Sequence, residues 1–188
     1  MADVLLFHHA QGLTPGVHEF ADRLRVAGHR VTVPDLFDGA NFPTVESGVE
    51  HAESKIGFDV IIERGVAEAA GLPPETVYAG FSMGVMPAQK LVQTREGALA
   101  GLFLHSAIPP TYFAPSWPQG VPAQIHVMQG DEWGADECQE FAAEVPEAEL
   151  FAYPGSDHLF TDSSLEVYDA AATDLVVERS LALLSRWP

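Results

Sequence analysis

The segment "DVLLFHH", Asp3 to His9, is apolar on consecutive residues, without the alternation expected of a strand with one wet face. Such a run reads as a parallel strand buried on both sides, and parallel neighbours have to be joined by crossovers, usually helices. "GVHEFADRLRVAG" (Gly16 to Gly28) meets that requirement, with Val17, Phe20, Leu24 and Ala27 at helical spacing and glycine at the stop. "HRVTVPDLF" reads as a second strand closed by Pro34, Asp38 to Ser47 as a loop, and Val49 to Ala70 as a helical segment interrupted at "IGF". "GLPPETVYAGF" supplies a breaker and a third strand, followed by a helix from about Gly84 to Thr94 and a strand in "ALAGLFLHSA". After a proline-rich loop from Ile108 to Pro122 come a strand in "AQIHVMQG", a helix around Asp136 to Val145, a strand in "AELFAYPG" and an amphipathic helix from about Leu165 to Leu184. This order predicts an α/β fold: one domain over residues 1–188, with a mostly parallel six-stranded sheet covered by helices on both faces.

Charge and composition narrow the partners. Nine Lys plus Arg against 27 Asp plus Glu give a formal net charge of -18, which makes phosphate backbones and anionic lipid surfaces poor partners, so no nucleic-acid or membrane binding is expected. No apolar run approaches the roughly 18 to 20 residues of a membrane span. The start, "MADVLLFHHAQG", shows no basic leader or small-residue cleavage site, and the single Cys138 cannot form an internal disulfide. A cytoplasmic setting is expected, and Cys138, in the acidic context "GADECQEF", is expected to be dispensable.

In a parallel sheet, ligands and catalytic groups collect at the carboxyl ends of the strands. There "YAGFSMGVM" places Ser82 in a G-x-S-x-G pattern between a strand and a helix, the nucleophile elbow of α/β-hydrolases. A serine hydroxyl needs a histidine base, which needs a carboxylate to fix its tautomer, and in this fold the chain order is Ser, acid, His. "VMQGDEW" supplies Asp131 at a strand end, and "YPGSDHLFTD" supplies His158 after the next strand. Asp157 is a rival orienter for His158, ranked below Asp131 because adjacent residues usually point apart.

With these motifs in place, the chain resembles the dienelactone hydrolase family of α/β-hydrolases nearly end to end. "VLLFHHAQGLTPGVHEFADRLRVAGHRVTVPDLF" is similar to the family's opening strand, loop, helix and "PDL" strand, and "YPGSDHLFTD" to its histidine segment. The resemblance implies Ser82 as nucleophile, Asp131 as acid and His158 as base, with an oxyanion hole from the backbone N–H of Met83 and one in the "HHAQG" loop, Ala10 being favoured. It also implies an acyl-enzyme mechanism on small ester, lactone or thioester substrates, without a cofactor. Three positions depart from the family founders: Ser82 replaces their cysteine, His9 a glutamate after the opening strand, and Asp162 an arginine that holds a substrate carboxylate. The fold and triad therefore carry over and the dienelactone substrate does not. Asp162 either faces the pocket or caps the final helix, and both readings predict poor binding of anionic substrates unless a group such as Arg64 enters the pocket.

The remaining candidates are weighed against simpler roles. His8 and His9, with His105, Asp131 or His158, invite a metal reading, but adjacent strand residues face opposite ways, so no metal site is expected. His9 is assigned to the substrate pocket with Phe113, Trp117, Trp133 and Phe160, aromatics in loops at the same sheet edge. His105 and His126 are read as satisfied core or strand-end histidines. A nucleotide-binding fold lacks its G-x-G-x-x-G here, since "HHAQGLTPG" does not match. The rival from another class is a non-catalytic ligand-binding or interaction protein on a hydrolase scaffold. The expected partner is a small-molecule acyl substrate, with the chain a monomer or small homo-oligomer.

Overall fold

The computed structural model describes residues 1–187. Six strands, β1 (Asp3–Phe7), β2 (Arg30–Thr32), β3 (Thr76–Phe81), β4 (Ala100–Leu104), β5 (Ala123–Met128) and β6 (Ala148–Tyr153), form one sheet in the order β2-β1-β3-β4-β5-β6. Every pairing is parallel. The inner strands β3, β4 and β5 are buried at every residue, whereas β2 and β6 at the edges keep exposed positions. This distribution explains the uninterrupted apolar runs, because a central parallel strand has helices on both faces.

Six helices, α1 (Pro15–Val26), α2 (Val45–His51), α3 (Phe58–Glu68), α4 (Val85–Thr94), α5 (Ala135–Glu144) and α6 (Ala170–Leu184), supply those covers. One core layer joins Val17, Phe20 and Leu24 of α1 to Val176, Val177 and Leu184 of α6 across the sheet residues Leu6, Ala79 and Leu102. The other joins Ile61 of α3, Leu91 of α4 and Phe141 of α5 to Leu5, Tyr78 and Phe103 on the opposite face. Among the described residues, no helix is long and apolar enough to cross a membrane.

Two boundaries differ from the sequence expectation. The loop after β2 covers residues 33–44 and ends before Ser47, because the Thr44 side chain accepts the Ser47 N–H and starts α2 at Val45. A π-helical turn, Ala52–Ile56, then leads through Gly57 into α3, which is the interruption anticipated at "IGF". The final helix begins at Ala170 instead of Leu165, since Asp169 is its cap and accepts the Ala172 N–H at 2.9 Å. Asp162 therefore does not cap this helix.

Candidate active site

The elbow is set by two close approaches. A Cβ on Gly80 would lie 2.2 Å from the Gly84 carbonyl oxygen, and one on Gly84 would lie 2.5 Å from the Phe7 carbonyl oxygen. Only glycine at both positions lets the chain double back between β3 and α4 against the end of β1. Between them Ser82 takes a left-handed backbone, φ 48°, on a residue that ordinarily avoids it. The turn leads through a short 3₁₀ segment, Ser82–Gly84, into α4, so the hydroxyl stands at a helix N-terminus. Pro87 lies in the first turn of α4, where its missing N–H is tolerated.

The Ser82 hydroxyl is 2.8 Å from His158 Nε2, and His158 Nδ1 is 2.7 Å from Asp131 Oδ2. An ionised carboxylate only accepts, so Nδ1–H donates to Asp131 and Nε2 is left to accept from the Ser82 O–H. Asp131 has no exposed side-chain surface, and its second oxygen accepts the Trp133 N–H at 2.9 Å. Asp157 is exposed and makes no such contact with the ring. The histidine loop is held from behind as well. His105 Nε2 pairs with the Thr161 hydroxyl at 2.7 Å, and the His105 ring stands edge-on to that of His158, 5.6 Å away. Burial first, then the neighbouring histidines, hold the pKa of His105 well below the usual imidazole range. Ser82, His105 and Leu159 are three of the four non-glycine residues with positive φ among the described residues, so backbone strain is concentrated around this candidate site.

The turn after β1 faces the elbow from the other side. The Gly12 N–H donates to the His9 carbonyl at 3.0 Å, closing a turn over Ala10 and Gln11. Among the described residues, the Ala10 N–H donates to no group.

A model of the dienelactone hydrolase family matches residues 2–187. The chain belongs to the dienelactone hydrolase family. Among solved structures it is similar to a Klebsiella pneumoniae protein assigned as a dienelactone hydrolase, at 16% identity and TM-score 0.77 over 100% of this chain and 88% of that one. A dienelactone hydrolase from Anabaena variabilis gives 17% identity and TM-score 0.72 over 99% and 86%. A cold-adapted esterase from an Arctic intertidal metagenomic library gives 18% and 0.64 over 95% and 82%. At such identities these likenesses show a shared α/β-hydrolase fold. No match was found among curated proteins.

Within this family member, the aromatic residues assigned to the pocket divide. Trp133 is 47% exposed, lies 6.0 Å from the His158 ring and lines a cleft of about 260 Å³ with Gly130, Glu132, Ser156, Asp157 and His158. Phe113 packs on Tyr112 in the proline-rich loop. Trp117 and Phe160 face the core instead. Trp117 packs on Phe103 and Phe141 and bonds the Val121 carbonyl, while Phe160 sits against His105 and Tyr153. Gln89 and Gln93 on α4 bind the carbonyls of Ile108, Pro110 and Ser116, so the proline-rich loop is fastened to α4.

His9 is also misplaced by the sequence reading. It has no accessible surface, and its Nε2 lies 2.7 Å from Asp162 Oδ2. Two positions that depart from the family founders thus meet inside the protein, and Asp162 does not face the cleft. His8 is equally committed: Nδ1–H donates to the His9 carbonyl, and Nε2 accepts the Leu36 N–H. Burial lowers its pKa to about 4. Arg64 binds the Leu36 carbonyl and Asp38, away from the cleft residues. The Cys138 thiol is buried, and burial, with Asp131 and Glu137 nearby, raises its pKa far beyond the usual range, which suits packing and not attack.

Proposed function

We propose that this ester-type hydrolase works through Ser82, His158 and Asp131 and a covalent acyl-enzyme. The observation that carries the reading is the unbroken chain from the Ser82 hydroxyl to His158 and on to the buried Asp131, on a turn that only two glycines permit. His158 takes the serine proton as Ser82 attacks the acyl carbonyl, then gives that proton to the leaving group. The backbone N–H groups of Met83 and Ala10 receive the oxyanion. Water, deprotonated by His158, then releases the acyl group and regenerates the hydroxyl. On this reading the protein is a single-domain cytoplasmic enzyme for small acyl substrates, a monomer or small homo-oligomer, and needs no metal or organic cofactor because triad and backbone donors supply the chemistry.

The substrate class follows from charge. Glu132 and Asp157 are the ionisable residues that flank His158 in the cleft, which carries no Lys or Arg. Neutral esters are therefore expected to be preferred over carboxylated analogues. Turnover of a neutral aryl ester should disappear in Ser82→Ala, and kcat/KM for its carboxylated analogue should be lower and rise with ionic strength. Undiminished turnover in Ser82→Ala would overturn the reading in favour of another nucleophile.

A further inference from the structure

The geometry points to His9 and Asp162 as a second, buried histidine–carboxylate pair that positions the turn carrying the Ala10 N–H, an inference that rests on the Ser82 reading above. Asp162 has no exposed surface, yet its oxygens accept from four donors: His9 Nε2 at 2.7 Å, the Thr14 hydroxyl, the Ser164 N–H at 2.9 Å and the Ser164 hydroxyl at 2.6 Å. The carboxylate also lies at the N-terminus of α1, where a Cβ on Gly16 would be 1.8 Å from Oδ1. Burial would raise the pKa of this acid, but the hydrogen bonds from His9, Ser164 and Thr14 outweigh it and hold the group below its ordinary value, ionised.

An ionised Asp162 fixes the tautomer of His9. Nε2 must carry the proton that Asp162 accepts, which leaves the Nδ1 lone pair to accept the Gln11 N–H at 3.2 Å. The alternative tautomer would set Nδ1–H against the Gln11 N–H. Gln11 and Ala10 are the middle of the turn closed by Gly12 on the His9 carbonyl, so the direction of the Ala10 N–H is tied to the state of Asp162. Asp162 in turn stands on the loop of His158. One buried hydrogen bond between residues 153 apart in sequence thereby sets the oxyanion donor in register with the base.

The consequence is specific. In Asp162→Asn, an amide nitrogen at the Oδ2 position forces His9 into the wrong tautomer, and one at the Oδ1 position meets the Ser164 N–H. Either arrangement displaces one of the two loops. His9→Phe removes the acceptor for Gln11, whereas His9→Asn can restore it, since an Asn side chain accepts the N–H two residues on.

The test is steady-state hydrolysis of a neutral aryl ester, with active sites counted by a serine-directed phosphonate and with inhibition by an aryl trifluoromethyl ketone, which forms a tetrahedral oxyanion. Per titrated site, His9→Phe and Asp162→Asn should each lose about 10- to 100-fold in kcat with little change in KM, and ketone affinity should fall in parallel. His9→Asn should recover much of the kcat while melting at a lower temperature than His9→Phe, an order that a purely structural role would not give. If the His9 variants do not fold, Asp162→Asn against wild type carries the test, read as kcat and ketone affinity per titrated site. Unchanged kcat and ketone affinity per titrated site, or a His9→Asn no more active than His9→Phe, would overturn the inference. Wild-type protein that no phosphonate titrates would instead remove the Ser82 reading beneath it.

Discussion

Ser82, His158 and Asp131 were legible as residues because chain order and strand-end position together leave few candidates. Their partners on the far side of the site were not. His9 and Asp162 lie far apart in sequence, and neither is in a recognisable motif with the other, so pairing them requires the packed loops. Aromatic residues posed the reverse difficulty. Trp117, Phe160 and Trp133 look alike in loops at one sheet edge, and only the fold decides that the first two turn to the core and the third to the cleft. Asp131 carries the residue-scale prediction. Asn at this position keeps the shape but can present its amide N–H to Nδ1, stabilising the tautomer that has Nε2–H facing the serine. Asp131→Asn should lower kcat on the order of 10³- to 10⁴-fold with a near-native melting temperature. A loss below tenfold in aryl-ester kinetics would show that another group orients His158.

At the scale of elements, the elbow is a junction of β1, β3 and α4 with almost no free space. Gly84 is pressed against the carbonyl oxygens of both Phe7 and His8, so an added methyl group has to move backbone and not a flexible side chain. Gly84→Ala should cost roughly 1 to 3 kcal/mol, equivalent to several degrees of melting temperature at this chain length. Esterase activity should fall further than stability does, because the end of β1 leads into the Ala10 turn. A variant with native melting and native kcat would show that the elbow tolerates a wider approach. The helix boundaries that sequence reading missed have the same local origin. Asp162 and Asp169 are both plausible starts for α6, and the competition is settled by Asp162 being held by His9, Thr14 and Ser164. The inner strands were easier to read because burial on both faces demands uninterrupted apolar sequence, a requirement that the edge strands β2 and β6 escape.

For the whole molecule, burying uncharged imidazoles links folding to pH. Burial lowers the pKa of His8 to about 4 and that of His126 to about 3, the latter ring lying between the Tyr153 hydroxyl and the Gln124 side chain. In the unfolded chain both groups take up protons near 6.5. Between these values the unfolded state binds more protons than the native one, so their contribution is fully present above about pH 6.5 and is lost as pH falls toward 4 and then 3. Each amounts to a few kcal/mol. Urea unfolding should show stability declining from pH 6.5 to 4.5, and His126→Gln should make that decline shallower. Equal stability at pH 7 and 4.5 would contradict neutral burial of these rings. The acidic surface, with a formal net charge of -18, acts in the same direction as the carboxylates around the cleft and opposes anionic substrates over longer range.

The most direct measurement is intact-mass analysis after exposure to a serine-directed fluorophosphonate, with peptide mapping of the adduct, on wild-type protein and His158→Ala side by side. One adduct per chain on Ser82 in the wild type, with labelling slowed at least about a hundredfold in His158→Ala, is the expected result for a hydroxyl activated by that ring. An adduct on another residue, or equal rates in the two proteins, would contradict the assignment of Ser82 and His158 as nucleophile and base.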